Sequence, residues 1–148
     1  MTMKIAISAD HAGFELKKIL VSKLKESGYD VADYGTNSTD SIDYPDYAYA
    51  AAKSIAEGDN ELGIIICGSG VGVSITANKV KGIRAANCFN SEMASLARQH
   101  NNANVICLGA RFLTQEQATE MVDIFLTTEF EGGRHERRVD KIHSLTSC

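Results

Sequence analysis

Two rhythms of apolar residues alternate along this chain. "KIAIS" (Lys4 to Ser8) is a short β-branched run that stops at Ala9, Asp10, His11 and Gly13, after which Phe14, Leu16, Ile19, Leu20 and Leu24 recur at helical spacing as far as Gly28. That pattern predicts a strand, a polar loop and a helix. "DVADYG" predicts a second strand, and beyond the loop DSIDYPDY the alanine-rich stretch Ala48 to Glu57 predicts a helix ending at Gly58. The same order then repeats. "LGIIIC" reads as a strand, Val71 to Lys79 as a helix, "IRAANCF" as a strand, Ser91 to His100 as a helix, "NVICLG" as a strand and Thr114 to Thr127 as a helix. A basic helix from about His135 to Leu145 follows Gly132 and Gly133. Short apolar strands separated by helical periods predict an α/β fold with a five-stranded parallel sheet covered on both faces. The expected strand order is 2-1-3-4-5, with one closing helix.

In such a doubly wound sheet, ligands bind beyond the carboxyl ends of the strands, where the strand order reverses. Here that point falls between the first and third strands, which end in "ADHAG" and "CGSGVG", the most polar and glycine-rich loops of the chain. Asp10 and His11 are thereby expected beside Cys67 and Ser69.

Composition narrows the field. The 148 residues fit one domain, residues 1–148, and 44% hydrophobic with 23% charged residues is ordinary for a globular protein. The opening MTMKIAISADHAG has too short an apolar run for a signal peptide, and no stretch approaches the roughly 18 apolar residues of a membrane span. A cytoplasmic location is expected on that ground, and Cys67, Cys88, Cys107 and Cys148 lie far apart with no CxxC pair, which favours reduced thiols over a disulfide frame or zinc site. A net charge of −4 argues against nonspecific nucleic-acid binding despite the basic cluster Arg134, Arg137, Arg138 and Lys141. A small anion is the expected partner.

Gly68, Gly70 and Gly72 let backbone N–H groups converge at a helix N-terminus, an arrangement suited to phosphate, carboxylate or an enediolate oxygen. They lack the GK[ST] ending of a P-loop and the spacing of GxGxxG, and could equally serve only a tight turn. Cys67 is open to three readings: a core thiol, a phosphoenzyme nucleophile or a proton-transfer base. A cysteine just ahead of a helix N-terminus has its thiolate favoured by the dipole. The phosphatase spacing Cys-x5-Arg is absent, because the sixth residue on is Val73. His100, flanked by amides in "ARQHNNANV", is either an acid/base group or a helix cap. His11 beside Asp10 could be half a metal site, but without an HxxxH pair an acid/base or hydrogen-bonding role is favoured. Arg134 and Arg138, four apart, share a helix face and offer the fork that phosphate prefers, unless that face is merely solvated. Arg111 follows a strand end in the same manner, while His135, His143, Cys88, Cys107 and Cys148 are read as structural or surface residues.

The chain closely resembles the B-type ribose-5-phosphate isomerases, of the wider family that includes galactose-6-phosphate isomerase subunits. The resemblance rests on DHAG at Asp10, DYPDYA at Asp43, GIIICGSGVGVSITANK at Gly63, GIRAA at Gly82, RQHNNANV at Arg98, LGAR at Leu108 and EGGRHERRV at Glu131, in that order. It implies a Rossmann-like three-layer α/β/α sandwich and interconversion of D-ribose 5-phosphate and D-ribulose 5-phosphate without cofactor or metal. Cys67 then resembles the base at C2, and the loop Gly68, Ser69, Gly70, Val71 and Gly72 resembles the enediolate hole. His100, with Asp10, resembles the ring-opening group. His11, Arg134 and Arg138 resemble phosphate ligands, and Asn101 and Arg111 complete the pocket. The glutamate that replaces the cysteine in one branch is absent, since Val73 stands at its position.

The resemblance also implies a homodimer, or a dimer of dimers, whose active sites draw Cys67 and His100 from different subunits. Competing readings are isomerisation of another aldose phosphate, such as allose 6-phosphate, galactose 6-phosphate or a tetrose phosphate, and a nucleotide-binding module with Cys67 in the core.

Overall fold

A computed structural model of the chain describes residues 2–148. Among these, the elements run β1 (Lys4–Ala9), α1 (Phe14–Glu26), β2 (Asp30–Asp33), α2 (Tyr44–Ala56), β3 (Leu62–Cys67), α3 (Val71–Asn78), β4 (Ala85–Asn87), α4 (Ser91–Asn101), β5 (Val105–Gly109), α5 (Gln115–Thr127) and α6 (Arg134–Thr146). The five strands form one parallel sheet in the order β2-β1-β3-β5-β4. Helices cover both faces, as the alternation predicts.

The last two strands exchange places relative to the expected order 2-1-3-4-5. All five residues of β5, VICLG, are buried, whereas β4 is three half-buried residues, AAN, suited to an edge. Handedness then follows. The step from β3 out to β4 and the step back to β5 run in opposite directions, so right-handed crossovers require α3 and α4 on opposite faces. The core shows that division. Ile5, Ile7, Ile64, Ile66, Ile106 and Leu108 face a cluster shared with α1, α4 and α5, while Ala6, Ile65, Cys67, Val105 and Cys107 face one shared with α2 and α3. Strands β1, β3, β4 and β5 alternate between the two clusters with the period of two that a pleated strand imposes.

Local signals set the helix boundaries. The second helix starts four residues earlier than the alanine run suggests, because Pro45, with its fixed φ and missing N–H, fits the first turn after Asp43. Thr114 and Gln117 form a reciprocal capping box ahead of α5, and the Asn90 side chain accepts the Met93 N–H ahead of α4. Left-handed Asn102 ends α4. No helix among the described residues is long and apolar enough to cross a membrane.

Candidate active site

At the carboxyl edge of the sheet, β1 and β3 end side by side, with Ala9 opposite Ile66 and Cys67 opposite Gly109 of β5. The Asp10 N–H donates to the Ile66 carbonyl at 3.0 Å, and its Oδ1 accepts the Gly13 N–H at 3.0 Å. Asp10 and His11 therefore adjoin the glycine loop, as the topology predicts. His11 accepts the Ile42 N–H on Nδ1 at 3.2 Å. In the neutral ring that bond keeps the proton on Nε2, leaving it as a donor.

Cys67 is 5% exposed, and its Sγ accepts the Gly70 N–H at 3.1 Å. That bond depends on the left-handed Gly70 (φ 78°), which turns the chain back over the thiol just before α3. Ser69 Oγ accepts the Val71 N–H at 3.2 Å. The loop's other glycines make room for side chains from elsewhere. A Cβ on Gly68 would stand 2.9 Å from the Arg111 guanidinium carbon, and one on Gly72 would stand 2.6 Å from the Tyr44 ring. Tyr44, expected in a connecting loop, thus sits beside the glycine turn.

His100 and Asn101 lie at the other end. Helix α4 begins near the carboxyl edge, where Phe89 meets Phe112 edge-on at 6.2 Å, and returns to the amino edge before β5 starts. Two partly buried arginines hold its last turn. Arg84 donates to the Asn101 carbonyl at 3.1 Å and to the Asn102 carbonyl at 2.7 Å, and Arg98 donates to the carbonyls of Ala103 (2.6 Å) and Thr128 (3.2 Å). Burial lowers the pKa of both, offset at Arg84 by Asp140 and reinforced at Arg98 by Arg84.

The His100 ring stacks on that of His135, centroids 4.2 Å apart and planes within 9°. Glu131 Oε1 lies 3.7 Å from Nε2 of His100 and 3.6 Å from Nε2 of His135. Burial, then His100 and Arg134, push the His135 pKa down, with Glu131 opposing. His135 is therefore no plain surface residue, although its sequence neighbours gave no reason to pair it with His100. Its one legible signal was the i, i+4 spacing to Glu131. His143 instead bonds Arg84 at 2.8 Å, and Cys88 and Cys107 are buried thiols. Burial raises Cys88 to about 11. Arg134 and Arg138 stand exposed on the first turns of α6, near this histidine pair in sequence and helix position.

Two imidazoles and a carboxylate within 4.8 Å of one another would supply three metal ligands. Their orientation opposes it. Ring nitrogens bind metal along in-plane lone pairs at about 2.0 Å, and two nearly parallel rings aim those lone pairs side by side instead of at one point. The arrangement suits a proton donor pair better than an ion.

The candidate residues thus form two sets. Asp10, His11, Cys67 to Gly72 and Arg111 gather at the carboxyl edge; His100, Asn101, Arg134 and Arg138 gather beyond the amino edge. Helix α4, 11 residues long, spans the gap at 1.5 Å per residue, so the sets lie roughly 15 Å apart within one chain.

The family model described as Ribose/Galactose Isomerase matches residues 5–142. Ribose-5-phosphate isomerase B of Escherichia coli is 47% identical over 142 residues, covering 96% of this chain and 95% of that protein. D-erythrulose-4-phosphate isomerase of Pectobacterium atrosepticum is 45% identical over 141 residues, covering 95% and 93%. Among solved structures, ribose-5-phosphate isomerase B from Mycoplasma genitalium with bound ribulose 5-phosphate superposes with a TM-score of 0.95 at 48% identity, covering 99% of this chain and 98% of that one. The chain belongs to the ribose/galactose isomerase family.

Proposed function

We propose that this chain is a cytoplasmic aldose–ketose isomerase of the pentose phosphate pathway that interconverts D-ribose 5-phosphate and D-ribulose 5-phosphate. The observation that carries the reading is the Cys67 thiol held by the Gly70 N–H at the mouth of a glycine turn. A base beside preorganised N–H donors is what a 1,2-proton transfer requires. His100, with Asp10, opens the furanose by protonating the ring oxygen as the anomeric hydroxyl loses its proton. The Cys67 thiolate then takes the C2 proton, the electron pair forms the C1–C2 double bond, and the charge on O1 rests on the N–H groups of Gly68 to Gly72 and on Ser69. Transfer of the C2-hydroxyl proton to O1, with return of the abstracted proton from Cys67 to C1, completes the ketose and regenerates the thiolate. His11, Arg134 and Arg138 hold the phosphate, while Asn101 and Arg111 orient the hydroxyls.

The separation of the two sets leads us to a homodimer, or a dimer of dimers, in which the glycine-loop half of one subunit meets the histidine–arginine half of another. Exposed apolar side chains support self-association: Val71 and Ile75 on α3, Met93 and Leu96 on α4, and Ile142 and Leu145 on α6. So does a groove of about 850 Å³ lined by Ile75, Ile83, Arg84, Ala86, Asn101 and Ile142.

The second reading is a tetrose phosphate or another aldose phosphate as substrate, favoured by the similarity to the erythrulose-4-phosphate isomerase. Ketose formation from a panel of aldose phosphates separates the two. Ribose 5-phosphate should turn over fastest, and Cys67→Ser should lower kcat at least ~1000-fold. A faster tetrose or hexose phosphate would change the substrate and keep the mechanism; an active Cys67→Ser enzyme would remove Cys67 as the base.

A further inference from the structure

Asn87, the last residue of β4, lies outside every motif used above, yet its side chain reaches the glycine loop. Its Nδ2 donates to the Ser69 carbonyl at 3.4 Å, a long bond. Its Oδ1 is buried without a partner and lies where a Cβ on Gly70 would be. A Cβ on Gly109 would likewise stand 2.6 Å from the Ser69 carbonyl oxygen. The Ser69–Gly70 peptide is therefore packed closely against both the end of β5 and the Asn87 amide. That peptide carries the N–H that Cys67 accepts.

We propose that Asn87 is a positioning residue for Cys67, holding the Ser69–Gly70 peptide so that the Gly70 N–H stays aimed at the thiolate. An unpaired buried amide oxygen is unfavourable and uncommon in folded proteins. A residue that served stability alone would be better replaced by an apolar one at this place. The amide is accounted for if its other end is needed at the Ser69 carbonyl. A hydrogen bond to the charged form of an acid favours that form, so loosening the peptide disfavours the thiolate and moves the base away from its working geometry.

This inference rests on Cys67 being the base, and its test has one arm independent of that reading. In Asn87→Ala, alkylation of Cys67 by iodoacetamide, followed by peptide mass spectrometry from about pH 6 to 9, should shift to higher pH. Cys88 and Cys107, buried with their pKa values raised, stay largely unreactive over that range. With ribose 5-phosphate, kcat should fall about tenfold with KM nearly unchanged, because the phosphate ligands are untouched. The melting temperature should hold or rise, since the orphan oxygen is gone. Asn87→Asp keeps the shape but turns a carboxylate toward the Ser69 carbonyl, and its alkylation profile should move further in the same direction. It also decides the matter should the alanine variant unfold. Wild-type alkylation and wild-type kcat in a folded variant would overturn the proposal. An inactive wild-type protein would count against the isomerase reading, with the alkylation arm still deciding the role of Asn87.

Discussion

The two ends of the sheet build their chemistry from different materials. At the carboxyl edge, groups are placed by backbone: strands β1, β3 and β5 end in register, and Gly70 in the left-handed region swings a main-chain N–H onto Cys67. Beyond the amino edge, groups are placed by other side chains. His100 stacks on His135, Glu131 bridges both rings, and Arg84 and Arg98 tie down the turn that carries them. The first kind of site is rigid because the sheet is. The second is only as ordered as the charges and rings that compose it, and it therefore responds to pH and to single substitutions in ways that the first does not.

The largest effect is expected when the two halves are put on separate chains. Cys67→Ala and His100→Gln should each be nearly inactive alone. If one active site takes its halves from two subunits, refolding the variants together in equal amounts should restore about a quarter of wild-type activity, since half the two-fold dimers are mixed and each carries one intact site. No recovery in a mixture shown to contain mixed dimers would place the whole site within one chain.

A smaller effect is expected from Arg134 and Arg138, the proposed phosphate ligands. Arg134→Ala or Arg138→Ala should raise KM by about 10- to 100-fold with a lesser change in kcat, because each removes a charge-assisted contact remote from the reacting carbons. Equal loss in kcat and kcat/KM would instead assign the arginines to the transition state.

The smallest concerns His135. Its pKa is depressed by burial and by the neighbouring cations, so the folded state favours the neutral ring and the unfolded state binds more protons. Its contribution to stability is present above the unfolded value of about 6.5 and is lost as pH falls through 6.5 toward the folded value. The melting temperature of the wild type should therefore drop more steeply between pH 7.5 and 5.5 than that of His135→Gln; parallel curves would remove the stacked pair as the cause.

The same contrast accounts for what could be read in advance. The loop Gly68 to Gly72 stood out because three glycines at alternate positions are a backbone signal, and such signals are local. Asp10 and His11 were reachable because strand order alone sets β1 beside β3. Glu131, His135 and Asn87 carried no local signal of their place beside the candidate residues, each lying next to its partner only through tertiary packing. The exchange of β4 and β5 was missed for a related reason: both strands are short and apolar, and the choice between edge and interior depends on which one fills both faces.

The alternation of strands and helices, the two-sided core and the thiol at the head of a helix follow from local pattern alone, because hydrophobic period and glycine placement act over a few residues. Packing settles which strand closes the sheet, that His100 stacks on His135, and that the glycine loop and the histidine–arginine set stand at opposite ends of the sheet. Those outcomes depend on crossover handedness and on contacts between residues far apart in sequence, which no local pattern encodes.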